Sequence, residues 1–164
     1  MTSPQPARVG RLVKALVTWF GAGLLPKAPG TWGSLAALPF AWGLQWIGGA
    51  VVLAVAAAVL FVLGWRVADA YTSATGRRDP PEVVVDEVVG QWVTLLAAGQ
   101  NPILYAVGFV LFRVADIWKP WPVRWADRAV PGGLGIMLDD VLAGGYALGV
   151  LALAALVGGG DGVL

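Results

Sequence analysis

Five carboxylates stand where an acidic side chain is hard to accommodate: Asp86 and Glu87 inside the run Val83 to Gly90, Asp116 inside Phe112 to Trp118, and Asp139 with Asp140 inside Ile136 to Ala143. Each ionised carboxylate placed in an apolar medium costs about 2.5 to 3.5 kcal/mol even on the most lenient insertion scale. A cation held among them removes that cost. The chain has no histidine and no cysteine, so the donors are oxygen atoms alone, a set that favours a hard ion. A few carboxylates, with water and ligand oxygens completing the shell, suit Mg²⁺. Asp86, Asp116, Asp139 and Asp140 are the leading ligands, with Glu87 beside the first of them.

Simpler readings compete at some of these positions. Asp116 lies three residues from both Arg113 and Lys119, the spacing of an ordinary ion pair on one helix face. Asp139 and Asp140 fall early in an apolar segment, where negative charge at a helix N-terminus is worth about 0.3 to 1 kcal/mol. Asp86 and Glu87 are too deep in a valine-rich run for a solvated face, and there the functional reading leads.

Basic groups gather near the same acids. Arg113 and Lys119 flank Asp116 and are placed to hold a phosphate monoester. Arg124, a further candidate for binding the substrate, and Arg128 sit among Trp118, Trp121 and Trp125, where attraction to anionic lipid, about 1 kcal/mol per basic residue, is the competing and favoured reading. The stretch Gly21 to Ser34 combines glycines, two prolines and the hydroxyls of Thr31 and Ser34. Its backbone N–H groups, with Lys27, can cradle an anion. The commoner use of such residues is a cap and a set of turns. Gly132, Gly133 and Gly135 admit the same two readings.

These groups must be positioned by elements that are mostly apolar. The chain of 164 residues is 58% hydrophobic and 13% charged, with a mean hydropathy of +0.74; a soluble domain carries roughly a quarter charged residues. A net charge of +1 gives no electrostatic reason to expect nucleic acid. The residues after Lys14 lack the apolar core and small-residue cleavage site of a signal peptide. Nine tryptophans suit a shallow membrane bundle, since indoles favour the headgroup zone.

The stretch from Ser34 to Trp65 is longer than one helix needs to cross a bilayer. It divides into helices near Ser34 to Trp46 and Ala50 to Ala74, with the break at Gln45 to Gly49. Further helices are expected over Pro81 to Ala98 and Ile103 to Trp118, joined by the uncharged turn Gly99 to Pro102. A short interfacial helix follows within Pro120 to Ala129, then a glycine-rich loop over Pro131 to Gly135, then a last apolar helix over Ile136 to Val157. Gly145 and Gly149 have the spacing that permits close helix contact. The expected fold is an all-α integral membrane bundle of about four transmembrane or re-entrant helices with one interfacial helix, forming a single membrane-embedded domain over residues 1–164.

Lys14, Lys27, Arg66, Arg77, Arg78, Arg113, Lys119, Arg124 and Arg128 then emerge on one face, which the bias of Lys and Arg makes cytoplasmic. Only Asp161 falls on the other side. The N-terminus is expected inside and the C-terminus outside.

No P-loop with GKS or GKT occurs, nor a DxDxT or DxDxV signature, nor the DG-AR pattern of CDP-alcohol phosphotransferases. Four segments do resemble a known family: GLLPKAPGTWGSLAALPF (Gly23 to Phe40), VVVDEVVG (Val83 to Gly90), FRVADIWKPWPVRWADR (Phe112 to Arg128) and GGLGIMLDDVLAG (Gly132 to Gly144). In order and spacing they are similar to the phosphatidylglycerophosphatase A family, and from Gly23 to Gly144 they span most of the chain. The resemblance implies a Mg²⁺-dependent enzyme of the bacterial inner membrane, its site facing the cytoplasm. Such an enzyme removes the terminal phosphate of phosphatidylglycerophosphate to leave phosphatidylglycerol. The resemblance also assigns the family's acidic positions to Asp86, Glu87, Asp116, Asp139 and Asp140. Water or an aspartate can be the nucleophile, and oligomeric state stays open. The alternative of another class is a small transporter or ion pathway, since buried carboxylates also mark ion relays.

Overall fold

The computed structural model describes residues 10–157, so Asp161 and the expected sides of the two termini lie outside the described residues. The described residues form helices and no strand: α1 (Arg11–Val17), α2 (Pro29–Thr75), α3 (Val85–Thr94), α4 (Pro102–Trp118), α5 (Val123–Ala129) and α6 (Gly132–Val157), with 3₁₀ turns at Ala22–Leu24 and Leu95–Ala97. Of these, α2 and α6 are long and apolar enough to cross a membrane.

The 47 residues of α2 are not one rod. Gly48 (φ −161°, ψ 27°) and Gly49 (φ 62°, ψ −157°) leave helical geometry, and the positive φ of Gly49 is one that a side chain disfavours. Phe40 and Leu63 would stand roughly 35 Å apart on a straight helix, yet they line one apolar groove. The two limbs therefore fold back on each other, with the break where the adjacent glycines put it. The first limb begins at Pro29, not at Ser34 as expected. Proline fits a first helical turn because the N–H it lacks would have no partner there. Thr31 and Ser34 consequently sit inside the helix, and the Ser34 hydroxyl donates to the Gly30 carbonyl at 2.9 Å.

The expected helix over Pro81 to Ala98 is shorter at both ends. Pro80 forms a turn closed by the Val83 N–H (2.9 Å), and the Val84 N–H donates to the Val17 carbonyl below α1 (2.7 Å), so this backbone is committed elsewhere. What remains, α3, has 10 residues and spans about 15 Å, half of a bilayer's hydrocarbon. It is wedged between α2 and α6, and Val85, Val88 and Val89 lie in the core. Gln45 reaches it from the far end of the first limb of α2, donating to the Leu95 carbonyl at 2.6 Å.

Close contact of α3 with α6 rests on Gly90 and Gly144. A Cβ on Gly90 would lie 2.6 Å from the Asp140 carbonyl oxygen, and one on Gly144 would run into the Gly90 carbonyl. The sequence pointed instead to Gly145 and Gly149. Both face outward with nothing within 4 Å, because the stripe that packs inward is Ala143, Gly144, Ala147 and Leu151. The loop expected over Pro131 to Gly135 is also mostly helix, since α6 starts at Gly132. The Asp69 carboxylate, at the end of α2, accepts the Gly133 N–H and so caps that first turn.

The outer surface is apolar in stripes. On α4, Ile103, Val107, Val110, Val114 and Ile117 are exposed while Tyr105, Gly108, Phe112 and Ala115 are buried. In water this polarity would be inverted; against lipid tails it is the stable arrangement. Trp46 is exposed beside the kink of α2, and Trp118, Trp121 and Trp125 are exposed at the opposite end. Those two levels are where indoles settle in a bilayer.

Two glycine substitutions separate packing from helix propensity. Gly144→Ala should destabilise the protein by about 1 to 3 kcal/mol through overpacking, although alanine is the better helix former by about 1 kcal/mol. Gly145→Ala, facing open space, should be neutral or slightly stabilising. Thermal unfolding in detergent checks both, and equal melting temperatures would contradict the close α3–α6 crossing.

Candidate active site

One end of the bundle holds a cavity of about 570 Å³. The start of α2, the first turn of α3, the last turns of α4, helix α5 and the first turns of α6 all reach it. Asp86 and Glu87 enter from α3, which puts them at a helix N-terminus. Asp139 and Asp140 come from α6, and Arg113 and Asp116 from α4. Lys119 comes from the left-handed C-cap of α4 (φ 49°).

Asp86, Glu87 and Asp140 each offer one carboxylate oxygen, and these atoms lie within 4.8 Å of one another. Asp86 Oδ1 and Glu87 Oε2 are buried without a hydrogen-bond partner. Unpaired carboxylate oxygens at such spacing repel each other in a poorly solvated site, and a hard divalent cation is the group their chemistry fits. Gly30, in the first turn of α2, packs directly on this cluster: a Cβ there would collide with the Glu87 carboxylate and sit 3.2 Å from Arg113 Nη1.

The other two acids are held by cations. Arg113 Nη1 pairs with Asp116 Oδ2 at 2.7 Å, the same-helix partner that the spacing suggested, and also reaches Ser34 Oγ at 3.4 Å. Lys119 does not pair with Asp116. Its Nζ donates to both Asp127 Oδ1 and Asp139 Oδ2 at 2.7 Å, tying α5 to α6. Burial alone would lower the pKa of this ammonium, but hydrogen bonds to Asp127 and Asp139 outweigh it and hold Lys119 above its ordinary value.

The five acids singled out from sequence thus line one cavity with Arg113 and Lys119. Ser34 reaches it only through Arg113. Lys27 and Thr31 do not line it, because only Ala28, Pro29 and Gly30 of that segment do, and Arg124 stands outside in a neighbouring groove. Arg78, Asp79 and Asp127 line the cavity too and were missed. The first two belong to the polar stretch before Pro80 and Pro81, and Asp127 lies among the charges of α5. Among the described residues, neither Arg78 nor Arg128 is paired with a carboxylate; the Arg78 Nη2 donates to the Arg128 carbonyl at 3.3 Å. In all, seven carboxylates and four basic side chains line the cavity, an excess of three negative charges. Further along the bundle the buried polar groups include Gln91, Thr94 and Gln45, so among the described residues no line of acids crosses it.

A polar cavity opening at one end of an apolar bundle suits an enzyme that takes up a charged group, and the chain's relatives are enzymes of that class. Residues 15–155 match the family model described as Phosphatidylglycerophosphatase A. The protein of Escherichia coli K12 with that name is 42% identical over 137 residues, covering 83% of this chain and 79% of its own. Its namesake in Haemophilus influenzae is 38% identical over 137 residues, 83% of this chain and 84% of that one. A Bacteroides thetaiotaomicron protein, provisionally named a phosphatidylinositol-3-phosphatase, is 42% identical over 154 residues, 85% of this chain and 91% of that one. No solved structure matches. The chain belongs to the phosphatidylglycerophosphatase A family, and it is a phosphatase.

The rim of the cavity carries a pH-sensitive clamp. Glu82, between the lining residues Pro81 and Val83, accepts from the Tyr71 hydroxyl (2.9 Å) and from Arg77 Nη1 (2.7 Å). Burial pushes its carboxyl up, but backbone and side-chain hydrogen bonds together with the Arg77 charge win, and its pKa is lowered from 4.5. The stability this contributes is complete above pH 4.5 and is lost as pH falls through the folded-state value. Glu82→Gln should flatten the fall in melting temperature between pH 6 and pH 3, and a variant with the parent's profile would exclude the clamp as its source.

Proposed function

We propose that the chain hydrolyses the outer phosphate monoester of an anionic phospholipid, with phosphatidylglycerophosphate as the substrate and Mg²⁺ as the cofactor. The observation that carries this is the convergence of Asp86, Glu87 and Asp140 oxygens within 4.8 Å in a cavity with a three-charge negative excess. A phosphate dianion is repelled from such a cavity unless a divalent cation stands between. The names of the relatives support the substrate, and the two lipids in those names share a design: a monoester phosphate outside and a phosphodiester nearer the glycerol backbone.

Asp86, Glu87 and Asp140 would hold the ion, with Asp116 and Asp139 beside them in the same cavity. When bound, Mg²⁺ supplies charge that neutralises phosphate oxygens and makes a water molecule more acidic. The remaining work falls to the chain. Arg113 and Lys119 fix Asp116 and Asp139 in place and meet the negative charge that grows on the phosphate oxygens. Water attacks phosphorus in line with the departing glycerol oxygen; the bond from phosphorus to that oxygen breaks as one proton of the water passes to it, and the lipid alcohol and inorganic phosphate leave. Rapid quench with labelled substrate tests this route, because label trapped on the protein would mean an aspartyl phosphate instead.

In this reading the two limbs of α2, α4 and α6 make the four membrane segments, and α3 is an interior half-length helix. The charged end faces the cytoplasm of a bacterial inner membrane. Arg66, Arg77, Arg78, Lys119, Arg124 and Arg128 at that end, against uncharged connections at the Gly48 kink and at residues 99–101, support the orientation.

Purified protein in detergent should release phosphate from phosphatidylglycerophosphate only with Mg²⁺, stop with EDTA, and recover when Mg²⁺ is restored in excess. Asp86→Asn and Asp140→Asn should each lower turnover by at least about a hundredfold without lowering the melting temperature. Full activity in either variant would remove that residue from the proposed site, and activity unaffected by EDTA would remove the metal.

A further inference from the structure

Beside the acidic cavity lies a second one of about 540 Å³, walled by Trp118, Trp121 and Trp125 with Arg124 and Arg128. Two residues, Lys119 and Arg128, line both, so the two spaces share a wall. The indoles are strongly exposed, Trp121 at 79% and Trp118 at 72%, although large apolar side chains on a polar end normally turn inward. Among the described residues neither arginine has a carboxylate partner; Arg124 Nη2 donates to the Trp118 carbonyl at 3.3 Å, which holds it at the groove's edge. The groove is also braced, since the Tyr146 hydroxyl on α6 donates to the Trp121 carbonyl. It is a fixed surface with two free guanidinium groups at the level where lipid headgroups lie.

From this juxtaposition we infer that the tryptophan groove is the subsite for the inner phosphodiester and adjoining glycerol of a doubly phosphorylated lipid, and that Arg124 and Arg128 select such lipids over those with a single phosphate. The inference rests on the proposed lipid phosphatase activity and adds the determinant of substrate choice. Its occupant follows from charge and continuity. The acidic cavity receives the outer monoester, and the wall formed by Lys119 and Arg128 is where the short linker between the two phosphates crosses. The next anionic group along the lipid therefore falls beside Arg128 and Arg124, whose guanidinium forks suit phosphate oxygens. The indoles give the glycerol and the first acyl carbons an apolar wall with a polar edge. Phosphatidic acid carries only a monoester, attached directly to the diacylglycerol. With that phosphate in the acidic cavity, nothing anionic remains for the arginines.

The test is phosphate release by the full chain from phosphatidylglycerophosphate and from phosphatidic acid of matched acyl chains, in mixed micelles with Mg²⁺. The parent should favour phosphatidylglycerophosphate in kcat/KM. The double variant Arg124→Gln/Arg128→Gln should lose about tenfold or more of that ratio, as expected for charge-assisted hydrogen bonds, with the loss in KM and not in kcat. Arg124→Lys/Arg128→Lys, which keeps the charge, should recover part of it. A ratio unchanged in the glutamine variant, or equal loss on both lipids, would overturn the assignment. A parent chain that releases phosphate from neither lipid would sink the proposed activity itself, and this inference with it.

Discussion

Mutual repulsion among carboxylates gathered in an apolar bundle is the constraint around which this protein is organised. Asp86, Glu87 and Asp140 bring oxygens within 4.8 Å of one another, an arrangement that an apolar interior resists. It persists because the backbone gives these residues little room to separate. Asp140 lies on α6 one turn before Gly144, and Glu87 lies on α3 one turn before Gly90. Those two glycines let the helices meet backbone to backbone. Gly30 presses the N-terminus of α2 onto Glu87 from the other side. The acidic cluster and the close helix crossing are one feature seen at two depths.

The cations around this cluster have separate duties. Lys119 is bound to two carboxylates from different helices, and Arg113 to one on its own helix, so both are partly neutralised where they stand. Arg78 and Arg128 make no such pair among the described residues. The cavity thus has a held inner layer and a free outer edge. Moving outward from Asp140, the charge changes from unpaired negative to paired, and the exposed edge carries Arg78 and Arg128 together with Asp79.

Much of the site was legible in the sequence because charge in an apolar run is conspicuous. The five acids, Arg113 and Lys119 stand out against valines, alanines and leucines, and all of them reach the same cavity. The kink at Gly48 and Gly49 was legible for a similar reason, as adjacent glycines interrupt an otherwise uniform run. Elsewhere the signal was weaker than the tertiary contacts that override it. Val84 sits in a valine run with no local break after Pro81, and the bond of its N–H to the Val17 carbonyl, with the turn closed by Val83, sets the start of α3. Gly144, Gly145 and Gly149 are indistinguishable as letters, and the inward face of α6 decides which of them packs. Arg78 and Asp127 sit in polar stretches where charge needs no explanation, so nothing local marked them.

The folding back of α2 has a consequence for how such a chain enters a bilayer. Both ends of the helix stay on the charged side, and its far turn consists of Gly48 and Gly49. The other described connection on that side, residues 99–101, has no ionisable side chain either. Each charged group pulled through hydrocarbon would cost about 2.5 to 3.5 kcal/mol. Among the described residues none would have to make that passage, since the two connections at the far end carry no charge and the ionisable side chains lie toward the other end of the bundle.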